Sequence, residues 1–372
     1  MLAIFKHNEQ VMADPCVRKA VALISGGLDS MLATKWCQSQ GIYVEGLNFF
    51  TGFCVEGHTS AIRNRDKKQL KRNNALWVAE QLGIKLHIID VVEEYKNVVI
   101  NPKFGYGANM NPCLDCKIFM IKKAKQWIID NQFDFIITGE VIGQRPKSQK
   151  KHTMPLIAKH SGADDRLVRP LCAKFLPPTL PEREGWLDRE KMLGFNGRSR
   201  KPQIQLAQSY GISEYSQPAG GCCFLTDKNY SMKLKDLWQS QGQRQYELDD
   251  IMLLKVGRHL RYTPGFKLII GRDQGENNYL QGYRKQFHFL SSSTHLGPNM
   301  LIDGKPCAED FHFAARILAR YCDCPTDEQT TIEMRTLEGV ITHMTVTPLS
   351  PEEILPQWHI ENSQITQLPS VS

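Results

Sequence analysis

Five apolar runs punctuate the first 175 residues: VALIS, YVEGLNFF, KLHIIDVV, FDFIITGE and LVRPL. Between them, SMLATKWCQSQ, KKQLKRNNALWVAEQLG and CKIFMIKKAKQWIIDN place apolar residues at helical spacing. Short runs of this kind read as strands buried on both faces. Strands that take turns with helices form a parallel sheet covered on either side, so the expected class is α/β. Ligands of such sheets gather beyond the carboxyl ends of the strands, and the residues that follow each run are therefore where chemistry is expected.

The first run leads directly into ISGGLDS. Gly26 and Gly27 let backbone N–H groups approach an anion with no Cβ in the way. A helix that opens at Asp29 and Ser30 adds its dipole and its open donors. Ser25 and Ser30 contribute hydroxyls. Asp29 beside a phosphate calls for a hard cation such as Mg²⁺ between the two negative groups. A Walker loop would need Gly-x4-Gly-Lys-Ser/Thr and a dinucleotide fingerprint Gly-x-Gly-x-x-Gly, and neither is present. SGGLDS instead matches the SGGxDS signature and resembles the PP-loop ATP pyrophosphatases, adenylating enzymes with a Rossmann-like HUP fold. The resemblance implies ATP and Mg²⁺ on Ser25, Gly26, Gly27, Asp29 and Ser30. Gly139, in the ITGEVIGQRPKSQ that follows the fourth run, lies at the same edge of the sheet.

Eleven cysteines in a chain without a signal-like start point to thiols, metal ligands or redox groups rather than a disulfide framework. No run of about 18 apolar residues is present, so no membrane span and a cytoplasmic location are expected. NPCLDCK sets Cys113 and Cys116 at the start of a helix, where the dipole favours thiolate. PAGGCCF places Cys222 directly after two glycines. The cysteine pair resembles that of the tRNA thiolases within the PP-loop group, and NPCLDC resembles the NPC-x-x-C of 2-thiouridine synthases. Two chemistries fit. One cysteine carries a persulfide that another resolves, or Cys113, Cys116 and Cys222 hold a [4Fe–4S] cluster with one iron open for sulfide. The ligand count favours the cluster, and a zinc site would want a fourth ligand. Cys16, Cys37, Cys54, Cys172 and Cys307 read as buried core thiols, and Cys322 and Cys324 as structural.

Charge is uneven: residues 1–239 carry +11 and residues 240–372 carry −4, with a basic island over 251–290. TGEV stands where 2-thiouridine synthases carry TGHY. Lys117 follows the second cysteine as a candidate partner of the adenylate, and Arg145 and Lys147 could face phosphate or RNA. In the connecting arm, Arg169, Lys174, Arg198, Arg200 and Lys201 read as an RNA-backbone cluster. VGRHLRYTPGFKLIIGRDQGENNYL has β-like alternation with turn signals at Pro-Gly and Gly-Arg-Asp. It resembles the RNA-binding module of the NFACT family, whose motif runs close to GRHFR…G-x-x-I-x-VGR-x-x-x-x-N. Arg258, His259, Arg261, Arg272 and Asn278 occupy the matching positions, and guanidinium groups beside Tyr262 and Phe266 suit phosphate contact and base stacking.

The expected organisation is a PP-loop adenylating domain at 1–175 and a basic connecting segment with the PAGGCC site at 176–240. A smaller α+β RNA-binding domain follows at 241–348, then a loose tail at 349–372. The implied activity is tRNA uridine thiolation: adenylation of a base carbonyl oxygen, then sulfur transfer from sulfide or a persulfide carrier protein. Two alternatives stand beside it, a small-molecule PP-loop sulfurtransferase or ligase and a non-catalytic RNA-binding quality-control protein.

Overall fold

The computed structural model describes residues 17–55, 73–163, 165–216, 222–363 and 369. Two compact units divide the chain. The first comprises Met1–Phe49, Asn74–Ile89 and Cys116–Pro218; the second comprises Phe50–Asn73, Asp90–Asp115 and Ala219–Ser372.

In the first unit, β1 (Lys19–Leu23), β2 (Tyr43–Phe50), β3 (Leu86–Asp90), β4 (Phe135–Ile137) and β5 (Leu167–Val168) form one sheet in the order β3-β2-β1-β4-β5. β1 pairs in parallel with β2 on one side and with β4 on the other, and β4 pairs in parallel with β5. All five strands coincide with the apolar runs of the sequence. The chain builds outward from β1 to β3, then returns to build outward through β4 and β5. The carboxyl end of β1 is thus the point where strand order reverses, the usual crevice for a ligand in such sheets.

The helix Leu28–Ser39 leaves that point with Leu28, Met31, Leu32 and Trp36 buried among Ala20, Ala22, Val44, Phe135 and Ile137 of the sheet. Its other side is covered too, since Ser30, Ala33, Thr34 and Cys37 are also buried. A helix so enclosed is fixed in position. Truncating a fully buried residue such as Leu32 to Ala would cost about 2–5 kcal/mol.

The second unit holds a six-stranded sheet of β6 (Arg258–Thr263), β7 (Phe266–Ile270), β8 (His288–Ser292), β9 (Met300–Gly304), β10 (Thr330–Arg335) and β11 (Ile341–Val346), ordered β11-β10-β8-β9-β7-β6. The paired strands run antiparallel. The expected hairpin is present, with Thr263 opposite Phe266. The alternation does not continue beyond it. Asp273 accepts from the backbone N–H of Glu276 at 2.9 Å and caps a helix, Gln274–Gln281, where the sequence suggested further β structure. β7 is buried along its whole length. Phe266, Leu268 and Ile270 join the core under the helix Ala308–Arg320, while Ile269 packs with Leu253, Val256, Leu280 and Leu301. A polar, RNA-facing side of this strand is therefore absent.

The tail is also packed further than expected. Residues 349–363 form short turns with Ile360 buried, and the Trp358 ring lies 5.7 Å from Tyr262 and 5.8 Å from Phe313. Early segments of the chain complete this unit. Phe53, fully buried, meets the rings of Tyr95, Tyr230 and Tyr246 at 6.3, 6.2 and 5.4 Å. Among the described residues, no helix is long and apolar enough to cross a membrane.

Candidate active site

The loop Ser25–Ser30 joins β1 to its helix. Gly26 has φ +76°, and a Cβ there would fall 2.7 Å from the Cβ of Asn74, so glycine is required on both counts. Gly27 sits at the helix N-cap with no side chain capping the turn. The Ser30 hydroxyl donates instead to the Gly27 carbonyl at 2.8 Å. The Ser216 hydroxyl donates to the Gly26 carbonyl at 2.9 Å and steadies the loop from a segment that sequence reading passed over. Gly139, at the end of β4, comes so close that a Cβ would lie 2.3 Å from the Asp29 carbonyl carbon. Only glycine admits this approach.

Asp29 is the centre of a buried polar network. Gln144 Nε2 donates to its Oδ2 at 2.7 Å, and Gln203 Nε2 donates to Gln144 Oε1 at 3.2 Å. The Arg200 guanidinium stands 3.7 Å from Asp29 Oδ1. Burial pushes the Asp29 carboxyl above its ordinary range, against the pull of Gln144 and Arg200. Three buried atoms here lack a hydrogen-bond partner: Asp29 Oδ1, Arg200 Nε and Gln203 Oε1. Orphaned polar atoms of both signs beside a glycine loop fit a phosphate and its cation, which bring matching acceptors and charge. Neither glutamine was singled out from the sequence. Gln144 follows β4 in ITGEVIGQ, the edge already marked as ligand-bearing, whereas Gln203 carries no local signal.

Where the sequence departs from TGHY, Glu140 is buried and bound. Its Oε2 accepts from Arg169 Nε at 2.9 Å, and Lys117 Nζ lies 3.9 Å from Oε1. Burial alone would raise this carboxyl, yet the Lys117 and Arg169 charges together hold it below the ordinary value. Arg169, 5% exposed, is thus a core ion-pair residue and not an RNA contact. Of the arm's other bases, Lys174, Arg198 and Lys201 are exposed, as are Arg145 and Lys147.

Cys113 and Cys116 lie one turn apart at the start of the helix Cys113–Asp130. Cys222 is exposed, and Gly220 and Gly221 lie outside the described residues. Cys223 Sγ, by contrast, reaches Asn111 Oδ1 at 3.9 Å, two positions before Cys113. Among the described residues no group of three or more His, Cys, Asp or Glu is placed to hold a metal ion. Cys37 and Cys172 are core thiols as expected, with burial pushing the Cys172 thiol up to about 12. Cys307 is exposed rather than buried, and Cys16 lies outside the described residues.

In the second unit the proposed RNA residues divide. His259 is fully buried; its Nε2 pairs with the Val256 carbonyl at 2.9 Å, and burial beside Lys233 and Lys267 holds the ring well below its usual pKa. It cannot reach RNA from there. Arg261 grips both oxygens of Asp236, at 2.6 and 2.9 Å, and Arg272 grips Glu276. Gln274 Nε2 donates to Asn278 Oδ1. Arg258 donates to the Gly271 carbonyl at 3.2 Å and stacks over Tyr321. With Arg272, Asp273, Asn277 and Tyr321 it lines a shallow cavity of about 230 Å³.

A parallel sheet with a glycine loop at its reversal point, joined to a separate antiparallel module, defines a HUP-type nucleotide-loop protein. Residues 18–165 match the family model described as the tRNA methyl transferase HUP domain, and residues 257–359 match the NFACT protein RNA binding domain. The first match and the relatives below make the chain similar to the PP-loop tRNA thiolases, and the second makes residues 257–359 similar to the NFACT RNA-binding domain. A tRNA-specific 2-thiouridylase MnmA of Flavobacterium johnsoniae is 26% identical, over 72% of this chain and 70% of the relative. One of Mesoplasma florum is 25% identical, over 72% and 67%. A 4-thiouridine synthetase solved with RNA and bound ATP aligns at TM-score 0.32 and 18% identity; this chain spans 54% of its length.

Proposed function

We propose that this chain is an ATP-dependent tRNA sulfurtransferase, which adenylates a uridine carbonyl oxygen and then replaces that oxygen with sulfur. The observation that carries the reading is the group of buried atoms at the glycine loop that lack a hydrogen-bond partner, Asp29 Oδ1, Arg200 Nε and Gln203 Oε1. The names of the relatives support tRNA uridine as the acceptor.

In this reading the triphosphate lies against the backbone of Gly26 and Gly27 and the open N-terminus of the following helix. Mg²⁺, when bound, neutralises phosphate charge beside Asp29. Gln144 and Gln203 hold the Asp29 carboxylate in place. Arg200 turns from Asp29 to the phosphates, which makes it a nucleotide residue and not an RNA-backbone one. The uridine oxygen attacks the α-phosphorus, the bond to pyrophosphate breaks, and the base carries AMP. A sulfur nucleophile then bonds to the activated carbon as the bond from carbon to the AMP oxygen breaks. When that sulfur is the outer atom of a cysteine persulfide, a second thiolate attacks the inner sulfur, the S–S bond breaks, and the thiolated base leaves a disulfide behind. Activation is needed because the carbonyl oxygen is a poor leaving group by itself. The sulfur source in this reading is a cysteine persulfide. A three-cysteine [4Fe–4S] cluster on Cys113, Cys116 and Cys222 is the second chemistry that the thiolase resemblance implies.

The test combines unmodified tRNA transcript, ATP and glutathione persulfide with the protein, then measures pyrophosphate and the tRNA nucleosides by mass spectrometry. The expected result is RNA-dependent pyrophosphate release together with a thiolated uridine. Pyrophosphate released only with a small acceptor would indicate the small-molecule sulfurtransferase or ligase. No pyrophosphate under any condition would leave an RNA-binding protein without catalysis.

A further inference from the structure

The strand end that carries Gly139 also carries a carboxylate that is only half matched. Glu140 follows β4 at the point where strand order reverses, and its side chain is 2% exposed. One oxygen is fully engaged. Oε2 accepts from Arg169 Nε at 2.9 Å and from the Thr138 hydroxyl at 3.0 Å, while Arg169 also donates to the Met154 carbonyl at 3.2 Å. The other oxygen, Oε1, is buried and has no hydrogen-bond partner. The Lys117 ammonium stands 3.9 Å from it, within reach of an ion pair and beyond that of a hydrogen bond.

Two cations and one carboxylate leave one positive charge unmatched beside a nearly dry interior, where such a charge calls for an anion. Lys117 is the member able to meet one. Its side chain keeps 31% exposure, whereas Glu140 and Arg169 are enclosed. Its place in the fold also suits a nucleotide. Lys117 opens the second turn of Cys113–Asp130, the helix that leads into β4, so the start of that helix returns to the carboxyl edge of the sheet. Gly139, next to Glu140, is the residue packed on the Asp29 carbonyl, and the cluster therefore borders the glycine loop.

We propose that Lys117 binds the α-phosphate of the nucleotide during adenylation and that Glu140 is the positioning residue that holds it there. The proposal rests on the adenylation half of the proposed function, and no thiol takes part. The acceptor oxygen bonds to the α-phosphorus as the bond to pyrophosphate breaks. Throughout, the Lys117 ammonium keeps its protons and stays against the nonbridging oxygens of that phosphate. Glu140 does not touch the nucleotide. Its carboxylate, fixed from behind by Arg169 and Thr138, restrains a long side chain whose rotamer freedom would otherwise be lost at each binding event.

The test uses AMP, whose single phosphate is the α-phosphate, and compares it with adenosine by calorimetry on the full-length protein. Wild type should prefer AMP. Lys117→Met should weaken AMP about 10- to 100-fold, the worth of a charged hydrogen bond, and leave adenosine unchanged. Lys117→Arg should recover part of the preference. Glu140→Gln should lose less, and the double variant should be no weaker than Lys117→Met alone, because Glu140 acts only through the lysine. Should Glu140→Gln fail to fold, Lys117→Met keeps the Glu140–Arg169 pair and still decides the matter. With ATP, tRNA transcript and no sulfur donor, kcat for pyrophosphate release should fall about 100-fold in Lys117→Met. No preference for AMP in wild type, or the same preference in Lys117→Met, would overturn the role of the lysine. Losses that add in full in the double variant would overturn the positioning. An AMP preference lost in Lys117→Met, in a protein that releases no pyrophosphate with any acceptor, would sink the adenylation reading and leave the phosphate contact standing.

Discussion

Arginine meets carboxylate in both units, with opposite outcomes. In the second unit Arg261 closes on both oxygens of Asp236, at 2.6 and 2.9 Å, and Arg272 closes on Glu276. In the first unit Arg200 stops 3.7 Å short of Asp29 and leaves its buried Nε without a partner. A closed bidentate pair has spent its donors on the fold. An incomplete one keeps donors that a ligand can use, at a standing cost in stability. Two sets of basic residues that look alike in sequence therefore differ in what remains available.

The largest expected effect tests the incomplete pair. Asp29→Asn should lower pyrophosphate release by at least about 100-fold, the scale of losing one electrostatic group at a reacting centre. It should also raise the melting temperature. Burial lifts the folded pKa of Asp29, so its contribution is favourable at low pH and is lost as pH rises through the folded value; at neutral pH the charge is a penalty. A variant that is both inactive and less stable would break the comparison, because Asp29 would then be structural.

Arg200→Gln comes next. ATP affinity measured by calorimetry should fall roughly 10- to 100-fold, the value of a charged hydrogen bond, with tRNA affinity and its salt dependence unchanged. The reverse pattern would return Arg200 to the RNA-backbone role. For the closed pair the readout is stability. Asp236→Asn should cost about 2 kcal/mol in denaturant unfolding, below the range for fully buried pairs because the Arg261 side chain keeps some exposure. It should leave pyrophosphate release intact.

Glu140 offers an acid-side check. Its folded pKa is held below 4.5, so the stability it contributes is present above that value and is lost as pH falls through the depressed one. Glu140→Gln should flatten the acid limb of a pH-stability curve, and an unchanged limb would mean that Arg169 and Lys117 are satisfied elsewhere. The smallest effect belongs to Arg258, whose guanidinium borders the cavity and is held by a single carbonyl bond and the Tyr321 ring. Arg258→Gln should reduce the slope of log affinity for tRNA against log salt by about one.

The parallel sheet was legible in sequence because its strands are local, continuous and apolar, and the loop because two glycines and an aspartate serve one anion. What escaped was nonlocal. His259 alternates correctly for an exposed strand position, yet a second layer of Leu253, Val256 and Leu280 covers that face of the hairpin. Trp358 and Ile360 sit in a Pro- and Gln-rich tail whose composition says loose, and only the rings of Tyr262 and Phe313 explain why it is not. Gln203 acquires meaning from a partner 59 positions away, Gln144. No window of sequence contains both ends.

The order in which the two units draw on the chain bears on how it can be made. The first unit uses nothing beyond Pro218, whereas the second begins at Phe50 and ends at the last residue. During synthesis the parallel sheet can close while the residues after Pro218 are still being added. Phe53 must then wait with its aromatic face uncovered until Tyr230 and Tyr246 emerge. A chain stopped near residue 220 would contain every strand of the nucleotide-loop domain and still display that ring to solvent. Early termination should thus yield a folded but sticky fragment, and a chaperone that recognises exposed aromatic surface has its natural opening in that interval.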